Sequence, residues 1–138
     1  MLKYVEMKAI EIKLYRFLEG HDKSFVIPVY QRNYDWSKAH CKQLLNDLID
    51  VIENKRKSHF FGSIVYIYND DNEENCQEYM IIDGQQRITT LSLLMLALVH
   101  TQEEFKPNEE LDIDLIKNEY LIGKYRPGNN CIETKMHN

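Results

Sequence analysis

The residues best suited to chemistry form the string DGQQR at positions 83–87. The string follows a β-branched run and precedes a long apolar stretch, Ile88–Val99, which predicts a helix that is apolar on nearly every face and buried. Gly84 permits a sharp strand-to-helix turn and leaves its own amide uncovered. The first N–H groups of a helix and its dipole attract phosphate, and the two glutamines and Arg87 add further donors. The string therefore indicates an anion site at the start of the helix.

The same residues also have a purely structural interpretation. Asp83 suits the N-cap of the helix, and Gln86 three residues later completes a D-x-x-Q variant of the capping box. Arg87 is then an ordinary surface residue. Two adjacent glutamines and an arginine exceed what capping requires, and this excess favours the ligand site.

A second polar segment, YQRNYDW at positions 30–36, is too polar for a core strand and too aromatic for an ordinary loop. If it lies beside DGQQR, Arg32 and Arg87 can bind one polyphosphate through forked, charge-assisted hydrogen bonds. Tyr34 and Trp36 can stack on a base. The alternatives are core packing for the two aromatic rings and, for Arg32, an ion pair with a nearby acid, either Asp35 or Asp47.

Asp83 is the candidate metal ligand, because Mg²⁺ sites commonly combine one or two carboxylates with phosphate oxygens and water. The sequence contains no P-loop string and no zinc or metalloprotease spacing. It also offers no defensible Ser-His-Asp or Cys-His grouping. Phosphate binding is therefore the chemistry that the motifs favour.

The composition of the whole chain limits the classes of protein to which it can belong. A length of 138 residues suits one domain, and 43% hydrophobic residues suffice for a core. The net charge of −5 argues against a broad basic face that binds nucleic acid through phosphates alone. Three scattered cysteines match neither a metal knuckle nor a disulfide framework, so they favour a cytoplasmic location. No secretion signal and no membrane-spanning stretch is predicted.

Hydrophobic periodicity predicts the elements that position these motifs. Helices are expected over 8–19, from the N-cap Ser37 to about Asn54, over the apolar stretch after DGQQR, and over 109–120. The helix after Ser37 has an apolar side made of Cys41, Leu44, Leu45, Leu48, Ile49 and Ile52. Strands are expected over 24–29, 60–68 and 78–82, and the last two form an antiparallel hairpin that leads into Asp83. No core element is expected from Gly123 onward.

Three strings, FVIPVYQRNYDW, FFGSIVY and IIDGQQRITTLSLL, resemble in this order the N-terminal domain of GmrSD-type restriction endonucleases. This family is also known as domain of unknown function 262 and is grouped with the ParB/sulfiredoxin-like fold. The resemblance implies an α+β domain, with a small antiparallel or mixed sheet and a central buried helix after the DGQQR turn. It assigns residues 1–122 to this domain and leaves 123–138 as a linker or truncated continuation.

The resemblance also implies a function, that of an NTP-binding and NTP-hydrolysing sensor domain in a modification-dependent, anti-phage restriction system. Carried over to this sequence, the catalytic residues are Asp83, Gln86 and Arg87, and Asp83 holds Mg²⁺. The nucleotide-binding residues are Tyr30, Gln31, Arg32, Gly84, Gln85 and Arg87. DNA and a nuclease domain or subunit are the implied partners, although nothing after Tyr120 resembles a nuclease. The alternative is a non-catalytic DNA- or protein-binding module, or a truncated remnant, that retains the fold without turnover.

Overall fold

The computed structural model describes residues 7–20, 22–28, 30, 33–69, 77–106, 108–121 and 136–137. In chain order the elements are α1 Leu14–Leu18, β1 Lys23–Val26, α2 Lys38–Glu53, β2 Val65–Asn69, β3 Gln77–Asp83, α3 Gln85–Phe105, α4 Ile113–Ile116 and β4 Met136–His137. A π-helical segment, Lys117–Leu121, continues directly from α4. Helices packed with a small mixed sheet confirm the predicted α+β class, whereas the ParB/sulfiredoxin-like grouping stays a prediction.

The sheet has the strand order β2-β3-β1-β4. β2 and β3 pair antiparallel, with Tyr66 opposite Ile81, so the predicted hairpin is confirmed. The first strand of that hairpin begins at Val65 rather than Phe60, because the preceding segment turns through Gly62 at a φ of 112°. β1 runs parallel to both β3 and β4. β4 is only two residues long, too short to leave a period in the sequence, and it was not predicted.

The core lies between the sheet and two helices. Its buried residues come from α1, β1, β3 and α3, and they are Phe17, Leu18, Phe25, Ile81 and Ile88. Aromatic rings fill much of the space, with the Phe17 and Phe25 centroids 5.2 Å apart and those of Tyr66 and Tyr79 5.1 Å apart. This core anchors β3 and the first turns of α3, the two elements that meet at the DGQQR string.

Helix α1 is shorter than predicted. It spans Leu14–Leu18 rather than 8–19, and Ile10 is 69% exposed. Isolated turns of helix are unstable without tertiary packing, and only the end of this stretch, Phe17 and Leu18, is buried in the core. Lys23 reinforces that end by donating its Nζ hydrogens to the carbonyls of Arg16 and Phe17, at 2.9 and 3.1 Å.

Helix α2 begins after Ser37 as predicted, and the Ser37 N–H donates to His40 Nδ1 at 3.1 Å. The sequence predicts that the apolar side of this helix faces inward, which is wrong for three of its six members, Leu45, Ile49 and Ile52. Leu44 is the one fully buried residue of this helix, whereas Ile52 is 75% exposed. The last predicted helix is also shorter than expected: it starts at Ile113, where Asp112 Oδ1 accepts the Leu115 N–H at 2.9 Å.

Helix α3 forms as predicted, but it is not buried on nearly every face. Ile88 is fully buried and Val99 is 2% exposed, whereas Leu93, Leu96 and Leu98 are each at least half exposed. Ile88 packs into the core formed with the sheet, whereas no described element covers the side that carries Leu93, Leu96 and Leu98. The helix ends at Phe105, before Pro107, which lies outside the described residues. Within those residues, no helix has the length and apolarity needed to cross a bilayer.

Candidate functional site

The turn between β3 and α3 is made by Gly84. Its φ of 93° lies in the left-handed region, and it is the N-cap of α3. The first intrahelical bond runs from the Ile88 N–H to the Gly84 carbonyl at 3.1 Å. Asp83 belongs to β3, and its Oδ1 accepts the N–H of Gly84, the next residue, at 2.9 Å. The predicted Asp83–Gln86 capping box is therefore wrong, because the strand extends one residue further than a capping Asp83 would allow.

The backbone before β2 passes directly against this turn. A Cβ at Gly84 would lie 3.2 Å from the Ser63 carbonyl oxygen and 3.3 Å from Cγ1 of Ile64. Such contacts are closer than most side chains tolerate, and the positive φ adds strain for any residue other than glycine. Gly84 is thus required both by the turn and by the close approach of residues 63–64.

Arg87 lies in the first turn of α3, against the same backbone. Its Nη1 donates to the Ser63 carbonyl at 3.1 Å. In the part of the chain that the structure describes, this carbonyl is the one hydrogen-bond partner of the guanidinium. A guanidinium has five N–H donors, so most of them have no partner among the described residues and can bind an anion. Arg87 is half-buried rather than an ordinary surface residue.

Gln86 joins the two polar segments. Its side chain is almost fully buried, at 5% exposure. The amide Nε2 donates to the Asn33 carbonyl at 3.1 Å, and Oε1 accepts the Asp35 N–H at 3.1 Å. The amide therefore holds residues 33–35 of the YQRNYDW segment against the start of α3. Its neighbour Gln85 is also buried.

A chain of hydroxyl and thiol contacts repeats this link one turn further along α3. Thr90 Oγ1 donates to the Gln86 carbonyl at 2.7 Å, so the Tyr34 hydroxyl, 2.9 Å away, donates to Thr90. Cys41 Sγ, at 3.3 Å, is then left as the donor to Tyr34. Burial, followed by the contact with Cys41, raises the pKa of Tyr34. The Tyr34 hydroxyl thus stays protonated at neutral pH.

None of the aromatic residues of the second segment is fully buried. Tyr34 is 41% exposed, so core packing does not describe it. Trp36 is half-buried, and its ring centroid lies 5.7 Å from that of His40. Tyr30 is 72% exposed. Base stacking by these rings stays a prediction.

The predicted partners Gln31 and Arg32 lie outside the described residues. The structure thus brings the two segments together through Asn33, Tyr34 and Asp35, and an anion shared by Arg32 and Arg87 stays a prediction. Three contact residues were missed by sequence reasoning, namely Gly62, Ser63 and Thr90. The FFGSIVY string contains two of them, but nothing local in it indicates a contact with Arg87.

Asp83 is exposed at the edge of this region. Among the described residues, no group of three or more His, Cys, Asp or Glu side chains is arranged to hold a metal ion. A single carboxylate nevertheless fits Mg²⁺ that is bound mainly by phosphate oxygens and water. The hydrogen bond from the Gly84 N–H uses only part of the acceptor capacity of the carboxylate. Asp83 therefore suits a metal that arrives with a polyphosphate.

The comparison with known families agrees with the three strings in the sequence. The model of the family described as GmrSD restriction endonuclease, N-terminal domain, matches residues 14–136. That range runs from the first residue of α1 to the first residue of β4 and includes every site residue described above. No curated protein matches the chain. The chain therefore belongs to the GmrSD restriction endonuclease N-terminal domain family, a membership that indicates involvement in a restriction system.

Proposed function

We propose that this chain binds a nucleoside triphosphate with Mg²⁺ at the start of α3. We also propose that it hydrolyses the nucleotide as the sensor domain of a modification-dependent restriction system. One observation carries the proposal: the Gln86 amide holds residues 33–35 against the first turn of a 21-residue helix that carries Arg87. Two segments that are distant in sequence thus meet where a helix favours anions.

The charges of the first turn support phosphate as the ligand. That turn contains no acidic residue, so the positive charge of Arg87 adds to the positive end of the helix dipole. Guanidinium groups form paired, charge-assisted hydrogen bonds with phosphate oxygens. Arg87 is therefore assigned to bind the phosphates and to stabilise the charge that develops on them during hydrolysis.

Asp83 and Gln86 receive different roles. Asp83 is assigned to hold Mg²⁺ through water. When bound, Mg²⁺ neutralises phosphate charge and orients the transferred group. Both ends of the Gln86 amide are occupied by Asn33 and Asp35, so Gln86 orients the YQRNYDW segment rather than a water molecule. Gln31 and Arg32, immediately before Asn33, are assigned to approach the same ligand.

DNA and a nuclease are the proposed partners within the restriction system. Cleavage is assigned to a nuclease domain or subunit, and the domain described here is assigned to sensing through nucleotide turnover. The non-catalytic alternative, a DNA- or protein-binding module, shares the same residues at the helix start. Consumption of nucleotide separates the two.

Thermal unfolding with ATP, GTP or CTP, each with Mg²⁺, tests the binding step. A ligand present at 100 times its Kd should stabilise the chain by about 2.7 kcal/mol. Release of inorganic phosphate, measured on the nucleotide that stabilises the chain, then tests hydrolysis. Stabilisation without phosphate release would favour the non-catalytic module, and no stabilisation by any triphosphate would contradict the proposed function.

A further inference from the structure

The segment that precedes β2 lies against the guanidinium of Arg87 so closely that a side chain at Gly62 would meet it. Gly62 has a φ of 112°, in the left-handed region that favours glycine. A Cβ built on Gly62 would lie 2.9 Å from Cζ, 3.0 Å from Nε and 3.2 Å from Nη1 of Arg87. Because real Cβ atoms do not approach heavy atoms so closely, the guanidinium can occupy this position only beside a glycine.

The next residue fixes the direction of the same group. The Ser63 carbonyl accepts from Arg87 Nη1 at 3.1 Å, and it lies 3.2 Å from the position of a Cβ on Gly84. One backbone carbonyl thus contacts both the arginine and the turn that starts α3. Its own position is fixed by the pairing of β2 with β3, which begins at Val65 opposite Asp83.

Arg87 needs such a support because its location is electrostatically unfavourable. The first turn of α3 carries no acidic side chain, and cations are destabilised at the positive end of a helix dipole. A free arginine side chain would also lose considerable rotamer entropy on binding a ligand. A contact that holds the guanidinium in place before binding removes part of that cost.

We propose that Gly62 and Ser63 form a seat for Arg87, and that this seat is a positioning device which fixes the guanidinium for triphosphate binding. The proposal rests on the proposed function of the α3 site. Neither seat residue contacts the triphosphate. Both act through Arg87.

Four forms of the chain test the seat: wild type, Gly62→Ala, Arg87→Ala and the double variant. Each is titrated by calorimetry with ATP, GTP and CTP in the presence of Mg²⁺. Gly62→Ala should weaken binding about tenfold, equivalent to about 1.4 kcal/mol, because the new Cβ displaces the guanidinium. In the Arg87→Ala background the same change should cost nothing further, since residues that act through one group are not additive.

Gly20→Ala is the matched control. Gly20 has a φ of 103°, and its Cβ would lie 2.9 Å from Asp22 Oδ1, so the backbone strain and the crowding resemble those at Gly62. Gly20 contacts neither Arg87 nor the start of α3. Its alanine variant should lose stability but bind triphosphate as wild type does. A loss of affinity equal to that of Gly62→Ala would assign the effect to strain and overturn the seat.

Urea unfolding of the same four forms provides a readout that does not require a ligand. Gly62→Ala should lower the unfolding midpoint more when Arg87 is present than in the Arg87→Ala background, where the crowding is relieved. Additive changes in midpoint, or an affinity of Gly62→Ala equal to wild type, would overturn the seat. If wild type binds no triphosphate, the proposed function and the binding role fall together, and the unfolding data still decide whether Gly62 holds Arg87.

Discussion

Among the described residues, no carboxylate forms an ion pair with Arg87. Its one hydrogen-bond partner among the described residues is the Ser63 carbonyl, whereas Arg56 Nη2 pairs with Asp50 Oδ2 at 2.9 Å. A positive charge at a helix start, with no counter-charge among the residues that the structure describes, suits phosphate recognition. Among single residues, Arg87 is therefore the one on which the proposed phosphate binding depends most.

Arg87→Ala should weaken triphosphate binding by about 10–100-fold, since charge-assisted hydrogen bonds are worth roughly 1.5–3 kcal/mol each. The free energy of unfolding should change little, because the side chain is only half-buried. Arg56→Ala is the control: it removes an exposed arginine whose partner lies on α2, and it should bind as wild type does. Calorimetric titration of both variants with the triphosphate measures the two affinities. Equal affinities for the two would remove Arg87 from the site.

Gln86→Ala should destabilise the chain by about 1–3 kcal/mol, because it leaves the Asn33 carbonyl and the Asp35 N–H without their buried partner. Gln43→Ala is the control. The Gln43 amide bonds Asp47 at 2.7 Å on the exposed side of α2, and its loss should stay within about 0.5 kcal/mol. Urea unfolding compares the two. A smaller loss for Gln86 than for Gln43 would show that the amide does not hold the two segments together.

Local sequence signals predicted part of this residue-level arrangement. The glycine turn at position 84 follows from a strand, a D-G pair and a helix in succession. The capping role predicted for Asp83 is wrong, because the end of β3 is set by its pairing with β2, which the sequence does not specify to the residue. The contacts of Gly62 and Ser63 with Arg87 join residues about two dozen positions apart in sequence, and no local pattern encodes them.

At the scale of elements, α3 divides into a buried first half and a second half with an exposed side. Ile88→Ala should cost about 2–5 kcal/mol, as large-to-small changes in a core do. Leu96→Ala, at a position that is 54% exposed, should stay within about 0.5 kcal/mol. Leu94 belongs to the stretch that the sequence predicts to be buried on nearly every face; it is half-buried, and its loss on change to alanine should lie between those two. Equal losses in urea unfolding would contradict this division of the helix.

The positions of the helices and strands were predicted more reliably than the burial of their side chains. Alternating apolar residues in β2 and β3, joined by a polar connection, predicted the antiparallel hairpin. Periodicity also predicted α2 and α3, but it reports only which side of a helix is apolar. It does not report whether another element covers that side, so it could not predict that Ile52 and Leu96 are exposed. For the same reason α1 begins only at Leu14, where contact with the core begins.

At the scale of the whole molecule, the tyrosines of the aromatic core make the free energy of unfolding fall at alkaline pH. Burial raises the pKa of Tyr79, and the nearby Tyr68, Tyr66 and Asp22 charges add to this effect. Because the folded pKa exceeds the unfolded value of about 10, the stabilisation is complete below that pH and is lost as pH rises through the folded pKa.

Tyr79→Phe should therefore lose less stability than wild type as the pH rises above about 10, the unfolded pKa of a phenol, toward the higher folded pKa. Tyr30→Phe, at a position that is 72% exposed, is the control and should follow wild type. Urea unfolding at several pH values measures the slopes. A Tyr79→Phe slope equal to that of wild type would show that this phenol does not contribute to the alkaline loss.

The whole domain is acidic, with a net charge of −5, so binding of a polyanion must be local rather than a property of the overall surface. The start of α3 is the proposed location. Hydrogen–deuterium exchange with and without a triphosphate and Mg²⁺ measures whether the ligand binds there. Exchange should slow in peptides that cover residues 33–36 and 84–88 and stay unchanged over residues 96–105. Slower exchange confined to other segments, with none at the start of α3, would contradict it.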